Sequence, residues 1–176
     1  YNDFVILGPS ADPAGIKGAK RASEALKSIA ENQAPFVSRG DDSGTHKKEN
    51  AIWQQSGVAP AGDWYRQVGQ GMGKTLQIAG ELDGYTLVDR GTWLAYRSRS
   101  PLQLLVAGGQ ELKNPYGIIA VSLDRYPDIN HDGAMALIDW FTSADGQRRI
   151  GAFRIGGEQI HLSPSSRSSI SSVKTR

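Results

Sequence analysis

Between residues 36 and 46 the chain reads FVSRGDDSGTH: an apolar strand end at Phe36-Val37, a turn at Ser38 to Gly40, then Asp42-Ser43-Gly44-Thr45 opening a helix that continues through Lys47, Lys48, Glu49 and Asn50. A strand that breaks into a helix at small polar residues restricts both architecture and chemistry. The first turn of a helix carries backbone N–H groups with no partner inside the helix, and the macrodipole makes that end partly positive. Together these seat phosphate, sulfate and similar anions. Gly44 lets a ligand approach the backbone closely. Ser43 and Thr45 add hydroxyl donors, and Arg39 adds a planar, permanently charged fork suited to oxyanions. An ordinary helix start, with Asp42 or Ser43 as N-cap, accounts for Asp42 as a capping or orienting group. It does not account for Arg39 together with Ser-Gly-Thr.

A second stretch, Asp89-Arg90-Gly91-Thr92, repeats the order strand, Arg, small residue, hydroxyl, helix. The plain alternative is a surface ion pair involving Asp89 and Arg90. On parallel strands of one sheet, however, both turns would point at the same edge, where ligands of α/β proteins sit. A third stretch, Gly69 to Thr75, reads GQGMGKT. It misses the phosphate-loop spacing by one residue, because Val68 stands where the first Gly is required. It reads as a Gly-rich helix start in which Gly71 and Gly73 let the chain pass close to the other two loops.

The rest of the inventory narrows the function. A net charge of +2 on 176 residues, with 20 Lys and Arg that form no long block, gives no footprint for nucleic acid. Without Cys there are no disulfides, thiolate metal sites or Cys nucleophiles, which also fits an exported chain. His46, His131 and His161 have no metal-ligand spacing. The side chains of Asp41 and Asp42 are adjacent and diverge, and no G-x-S-x-G surrounds Ser43. No stretch of about 18 apolar residues could span a membrane. Donors and positive charge without an activated nucleophile describe a binder rather than an enzyme, with no cofactor and no directly coordinated metal.

In order, the pattern predicts strands at 4–7, 35–38, 85–88, 102–106 and 117–122, and helices at 14–31, 43–55, 74–82 and 89–96. Residues 63–68 read as a poor buried strand. Ala134, Leu137, Ile138 and Phe141 mark a further helix, and Ser143 caps a short one in which Ile150 and Phe153 face inward. Residues 165–176 are mostly Ser, Arg and Lys and read as a disordered tail. Alternating helices and strands predict an α/β fold with a mixed, mostly parallel sheet.

The segments FVSRGDDSGTH (36–46), GQGMGKTLQIA (69–79), YTLVDRGT (85–92) and NPYGIIAV (114–121) resemble the tungstate-binding proteins of ABC importers, in the type II periplasmic binding protein-like superfamily. The resemblance covers nearly all of 1–164. It implies two α/β lobes joined by hinge strands, with an oxyanion in the cleft. Residues 1–9 and 116–122 would be hinge crossings, 10–109 a complete second lobe, and 110–164 a hinge strand and the C-terminal helices of an incomplete first lobe. The N-terminal part of that first lobe would be lacking. Carried over, it places Arg39, Ser43, Gly44, Thr45, Arg90 and Thr92 at the anion, with Asp42, Gly71 and Gly73 in support. It implies tungstate or molybdate as ligand, an ABC permease as partner, and a periplasmic or extracellular location. Both anions are tetrahedral and carry no proton at neutral pH, so a site built only of donors would disfavour protonated phosphate. Sulfate would have to be excluded by size. A phosphate or sulfate binder, or an anion sensor on the same fold without transport, remains the alternative.

Overall fold

Phe4-Val5-Ile6-Leu7 is a continuous apolar run, and a strand of that kind must be covered on both faces. It forms β1 (Asn2–Gly8), buried along its whole length, in the computed structural model, which describes residues 1–160. His161 and the expected tail at 165–176 lie outside the described residues. Neighbouring β1 are β4 (Thr86–Asp89) and β5 (Gln103–Ala107), both antiparallel to it, with β6 (Lys113–Asn114) pairing its first residues.

A parallel pair, β2 (Phe36–Ser38) and β3 (Tyr65–Gln67), joins this sheet through a parallel bridge from Phe36 to Tyr85. The Val37 N–H donates to the Tyr85 carbonyl at 2.8 Å, and the Tyr85 N–H donates to the Pro35 carbonyl at 2.7 Å. The order is therefore β3-β2-β4-β1-β5, with β1 alone running against the other four. That is the mixed, mostly parallel arrangement expected. β3 lies at the edge and is largely exposed, so backbone pairing rather than burial makes it a strand. Apolar content could not reveal it.

Helices α1 (Ala22–Glu31), α2 (Gly44–Ser56), α3 (Met72–Glu81) and α4 (Arg90–Tyr96) complete this part. The core runs from Phe4 to Leu112 and includes Leu26, Ile29, Phe36, Ile52, Trp53, Tyr85 and Leu87. Phe36 packs edge-on to Trp53 at 5.3 Å and is stacked on Tyr65 at 6.0 Å. The helix expected from residue 14 begins only at Ala22. Gly15 and Gly18 take positive φ of 63° and 78°, which breaks any earlier turn. The Asp12 carboxylate collects the N–H groups of Ile16 and Lys17 at 3.1 and 2.8 Å, and the Gly18 N–H donates to the Leu105 carbonyl.

The chain divides into two units, residues 2–114 and residues 115 onward together with Tyr1. In the second, Asn130 caps α5 (His131–Thr142) and Ser143 caps α6 (Ala144–Ala152) through their side-chain oxygens. A hairpin follows, β7 (Arg154–Ile155) and β8 (Glu158–Gln159), turning on Gly156-Gly157. Two expectations fail here. Residues 117–122 form no strand: no described residue pairs with them, and Ile119 is 91% exposed. An apolar run becomes a strand only where another strand takes up its backbone groups. Phe153, expected to face inward, is 56% exposed because it follows α6 instead of lying on its packed face.

Candidate functional site

Three strands that run the same way end side by side. Phe36 of β2 stands beside Tyr85 and Tyr65, so Arg39 lies level with Val88, two residues before Arg90. The loops after β2, β3 and β4 consequently emerge at one sheet edge and lead into α2, α3 and α4. The chains approach closely there. The Val68 N–H donates to the Ser38 carbonyl at 3.0 Å. A Cβ on Gly40 would lie 2.7 Å from the Gln67 Cβ, and Gly40 takes φ 60°; only glycine meets both demands.

The Arg39 loop leaves donors without partners. Ser43, not Asp42, is the N-cap of α2: its Oγ accepts the His46 N–H at 3.3 Å. Asp42 instead adopts a left-handed φ of 56°, and its N–H donates to His46 Nδ1 at 3.1 Å. The N–H groups of Gly44 and Thr45 have no partner among the described residues, nor does the Thr45 hydroxyl. Open space lies over Gly44, where a Cβ would meet nothing within 4 Å. Arg39 donates through Nη2 to Asp41, whose other carboxylate oxygen faces the Ser43 N–H at 3.3 Å. Hydrogen bonding from Ser43, and then from Arg39, holds the Asp41 carboxyl below its ordinary range. Arg39 Nε and His46 Nε2 are sealed from water and have no hydrogen-bond partner.

The second loop is differently committed. Arg90 makes a bidentate pair with the buried Asp3, Nε to Oδ1 and Nη2 to Oδ2, both 2.6 Å. Asp89 caps α4, accepting the Thr92 N–H at 2.9 Å and the Thr92 hydroxyl. Each arginine thus comes with its own carboxylate, and the charge these two side chains would bring to an anion is already compensated. What remains for a ligand is directional: unpaired N–H groups held at fixed positions. Asp3 and Asp41 were not foreseen as partners. Asp41 was signalled by its position two residues from Arg39; Asp3, far off in sequence, carried no signal.

Of the supporting glycines, Gly71 is the N-cap of α3. Gly73 is close to α4: a Cβ there would be 2.7 Å from the Tyr96 hydroxyl. Lys74 is turned along its helix to Gln77 at 3.1 Å, as suits a helix start that is not a phosphate loop. Behind the loop, buried Glu49 accepts the Tyr65 hydroxyl at 2.8 Å and Trp53 Nε1–H at 3.2 Å. Burial pushes its carboxyl above the ordinary value despite these donors. The Ser38 hydroxyl sits beside Glu49 without reaching hydrogen-bond geometry. Among the described residues no group of His, Cys, Asp and Glu could hold a metal ion, and no helix is long and apolar enough to cross a membrane.

The family model described as PBP superfamily domain matches residues 1–145. The tungstate-binding protein TupA of Peptoclostridium acidaminophilum is 43% identical over 155 residues, covering 87% of this chain and 54% of that protein. Among solved structures, the tungstate ABC transporter protein of Geobacter sulfurreducens is 49% identical with TM-score 0.78, over 87% of this chain and 65% of that one. TupA of Desulfovibrio alaskensis G20 is 41% identical with TM-score 0.79, over 91% and 66%. The chain spans about half the length of the curated relatives it matches, from 48% to 59%.

Proposed function

Because the chain belongs to the PBP superfamily domain family, we propose that it binds a tetrahedral oxyanion, tungstate or molybdate, for delivery to an ABC permease outside the cytoplasm. Residues 10–109 would act as one lobe of a two-lobed binding protein and 110–164 as part of the other. Arg39, Ser43, Gly44, Thr45, Arg90 and Thr92 would face the anion.

One observation carries the reading: the N–H groups of Gly44 and Thr45 that open α2 are unpartnered, and in the same loop Arg39 Nε is buried without a partner. An unmet buried donor costs about 1–3 kcal/mol, and an anion at the helix start would remove that cost. Arg90 and Thr92, locked by Asp3 and Asp89, would contribute through their fixed orientation. Since four carboxylates, Asp3, Asp41, Asp42 and Asp89, accompany the two arginines, selectivity would rest on donor geometry more than on net charge. The relatives' names, tungstate-binding proteins, support the choice of anion.

Thermal-shift measurements of this chain against tungstate, molybdate, sulfate and phosphate test it, because a ligand that binds the native state raises its melting temperature by mass action. Tungstate and molybdate should raise Tm, sulfate and phosphate much less. A larger shift with sulfate or phosphate would favour the alternative anions, and no shift with any of the four would reject the reading.

A further inference from the structure

His46 stands in the third helical position of α2, and its side chain is 10% exposed. Two contacts tie it to the start of its own helix. Its N–H donates to Ser43 Oγ at 3.3 Å, and its Nδ1 accepts the N–H of Asp42 at 3.1 Å. This is a reciprocal cap, with a ring nitrogen reaching back to the residue before the N-cap. A backbone N–H can only donate, so Nδ1 carries no proton, and the neutral ring carries it on Nε2.

The contact matters because of where it is spent. Asp42 holds a left-handed φ of 56°, a conformation that Asp reaches more readily than most non-glycine residues but that still leans on its surroundings. Its carboxylate does not enforce it: the Asp42 side chain is 95% exposed, and Oδ1 stays 3.8 Å from Nδ1. A contact that does tie the turn to the helix is the imidazole on the Asp42 amide. That turn fixes the direction in which the next residues enter the helix, and so where the open N–H groups of Gly44 and Thr45 point.

We propose that His46 is a positioning residue for the oxyanion loop: its Nδ1 grips the Asp42 amide and aims the N–H groups of Gly44 and Thr45 outward. The role rests on the oxyanion reading above, since it is the loop of that site which His46 shapes.

Titration calorimetry with sodium tungstate on the full chain separates the roles of the two ring nitrogens. His46→Leu removes both. His46→Asn keeps an acceptor where Nδ1 stood, and His46→Gln keeps a polar group only near Nε2. Leu and Gln should weaken tungstate binding at least about tenfold, and Asn should stay within about threefold of wild type at a similar Tm. Long-range nitrogen spectra of the ligand-free protein should show the proton on Nε2. Wild-type affinity in His46→Leu would overturn the role. So would Asn as weak as Leu while Gln binds normally, or a proton found on Nδ1. Should His46→Leu fail to fold, the contrast between Asn and Gln decides alone. If the wild-type chain binds none of the four oxyanions while the ring signature is as described, the oxyanion reading fails and the capping contact stands.

Discussion

At the scale of single residues, charge here is mostly spoken for and hydrogen-bond direction is what is left over. Arg39 is the clearest case. Its Nη2 holds Asp41 while its Nε has no partner. Arg39→Ala should weaken tungstate binding by about 1.5–3 kcal/mol, the range for bonds to charged groups. The same change leaves Asp41 without its counter-charge beside the site, which pushes the loss in the same direction. Calorimetry showing unchanged affinity would remove Arg39 from the site. Glu49 gives a prediction with a sign. Burial raises its carboxyl above the ordinary value of 4.5. The folded chain therefore favours the neutral acid more than the unfolded chain does. The stability this group contributes is full below its unfolded value and is lost as pH rises through the raised folded value. Glu49→Gln deletes that titration. The Tm of the variant relative to wild type should therefore climb as pH rises from the ordinary value of 4.5 through the interval up to the raised folded value. A difference that stays flat or falls over that interval would show that the carboxylate is not destabilised by its burial.

At the scale of elements, the loop before α1 shows what patterns of apolar residues leave out. Tyr85, at the start of β4, accepts the Ala14 N–H at 2.9 Å and donates to Asp12 Oδ1 at 2.9 Å, while Asp12 gathers two further amides. Tyr85→Phe leaves the Ala14 N–H buried with no acceptor. It should cost about 1–3 kcal/mol in chemical denaturation and speed amide exchange at Ala14 before it affects α1. Equal stability and equal exchange would mean that water replaces the hydroxyl. Helical periodicity over 14–31 holds within α1, whose Ala22, Ala25, Leu26 and Ile29 are buried. It could not place the start of the helix, because Gly15, Gly18 and the Asp12 carboxylate act through φ and long-range hydrogen bonds that periodicity ignores. β3 was missed because an edge strand is defined by its neighbour, and residues 117–122 were overread because apolar content alone says nothing about pairing. Around residues 39–45, the strand, the turn at Gly40 and a cap at Asp42 or Ser43 were legible from local rules of turn and cap chemistry. The partners Asp3 and Gln67 were not, since each depends on which strand lies alongside; the use made of His46 was not either, since its ring nitrogen takes up the amide before the N-cap, a contact outside the usual cap patterns.

At the scale of the whole molecule, the two units differ in how much of their apolar surface is covered. The main core lies wholly between Phe4 and Leu112, within the unit of residues 2–114. In residues 115–160 the large apolar side chains Tyr116, Ile119, Val121, Leu137, Trp140 and Phe153 are exposed, and α5 contains no buried residue. Apolar burial is the dominant favourable term in folding, at about 25 cal/mol per Å², so among the described residues those of the first unit carry nearly all of that driving force. A fragment of residues 2–114 should unfold cooperatively in urea, with a stability on the order of 5 kcal/mol or more. A fragment of residues 115–176 should show no cooperative transition. Tryptophan emission separates the two, because Trp53 and Trp93 are buried in the first unit while Trp140 is 42% exposed in the second. The first fragment should move from blue-shifted to red-shifted emission in one step, and the second should emit near the water-exposed limit from the outset. Cooperative unfolding of the 115–176 fragment would show that α5 and α6 cover each other well enough to stand alone. The exposed residues would then be an ordinary surface and not an unfinished core.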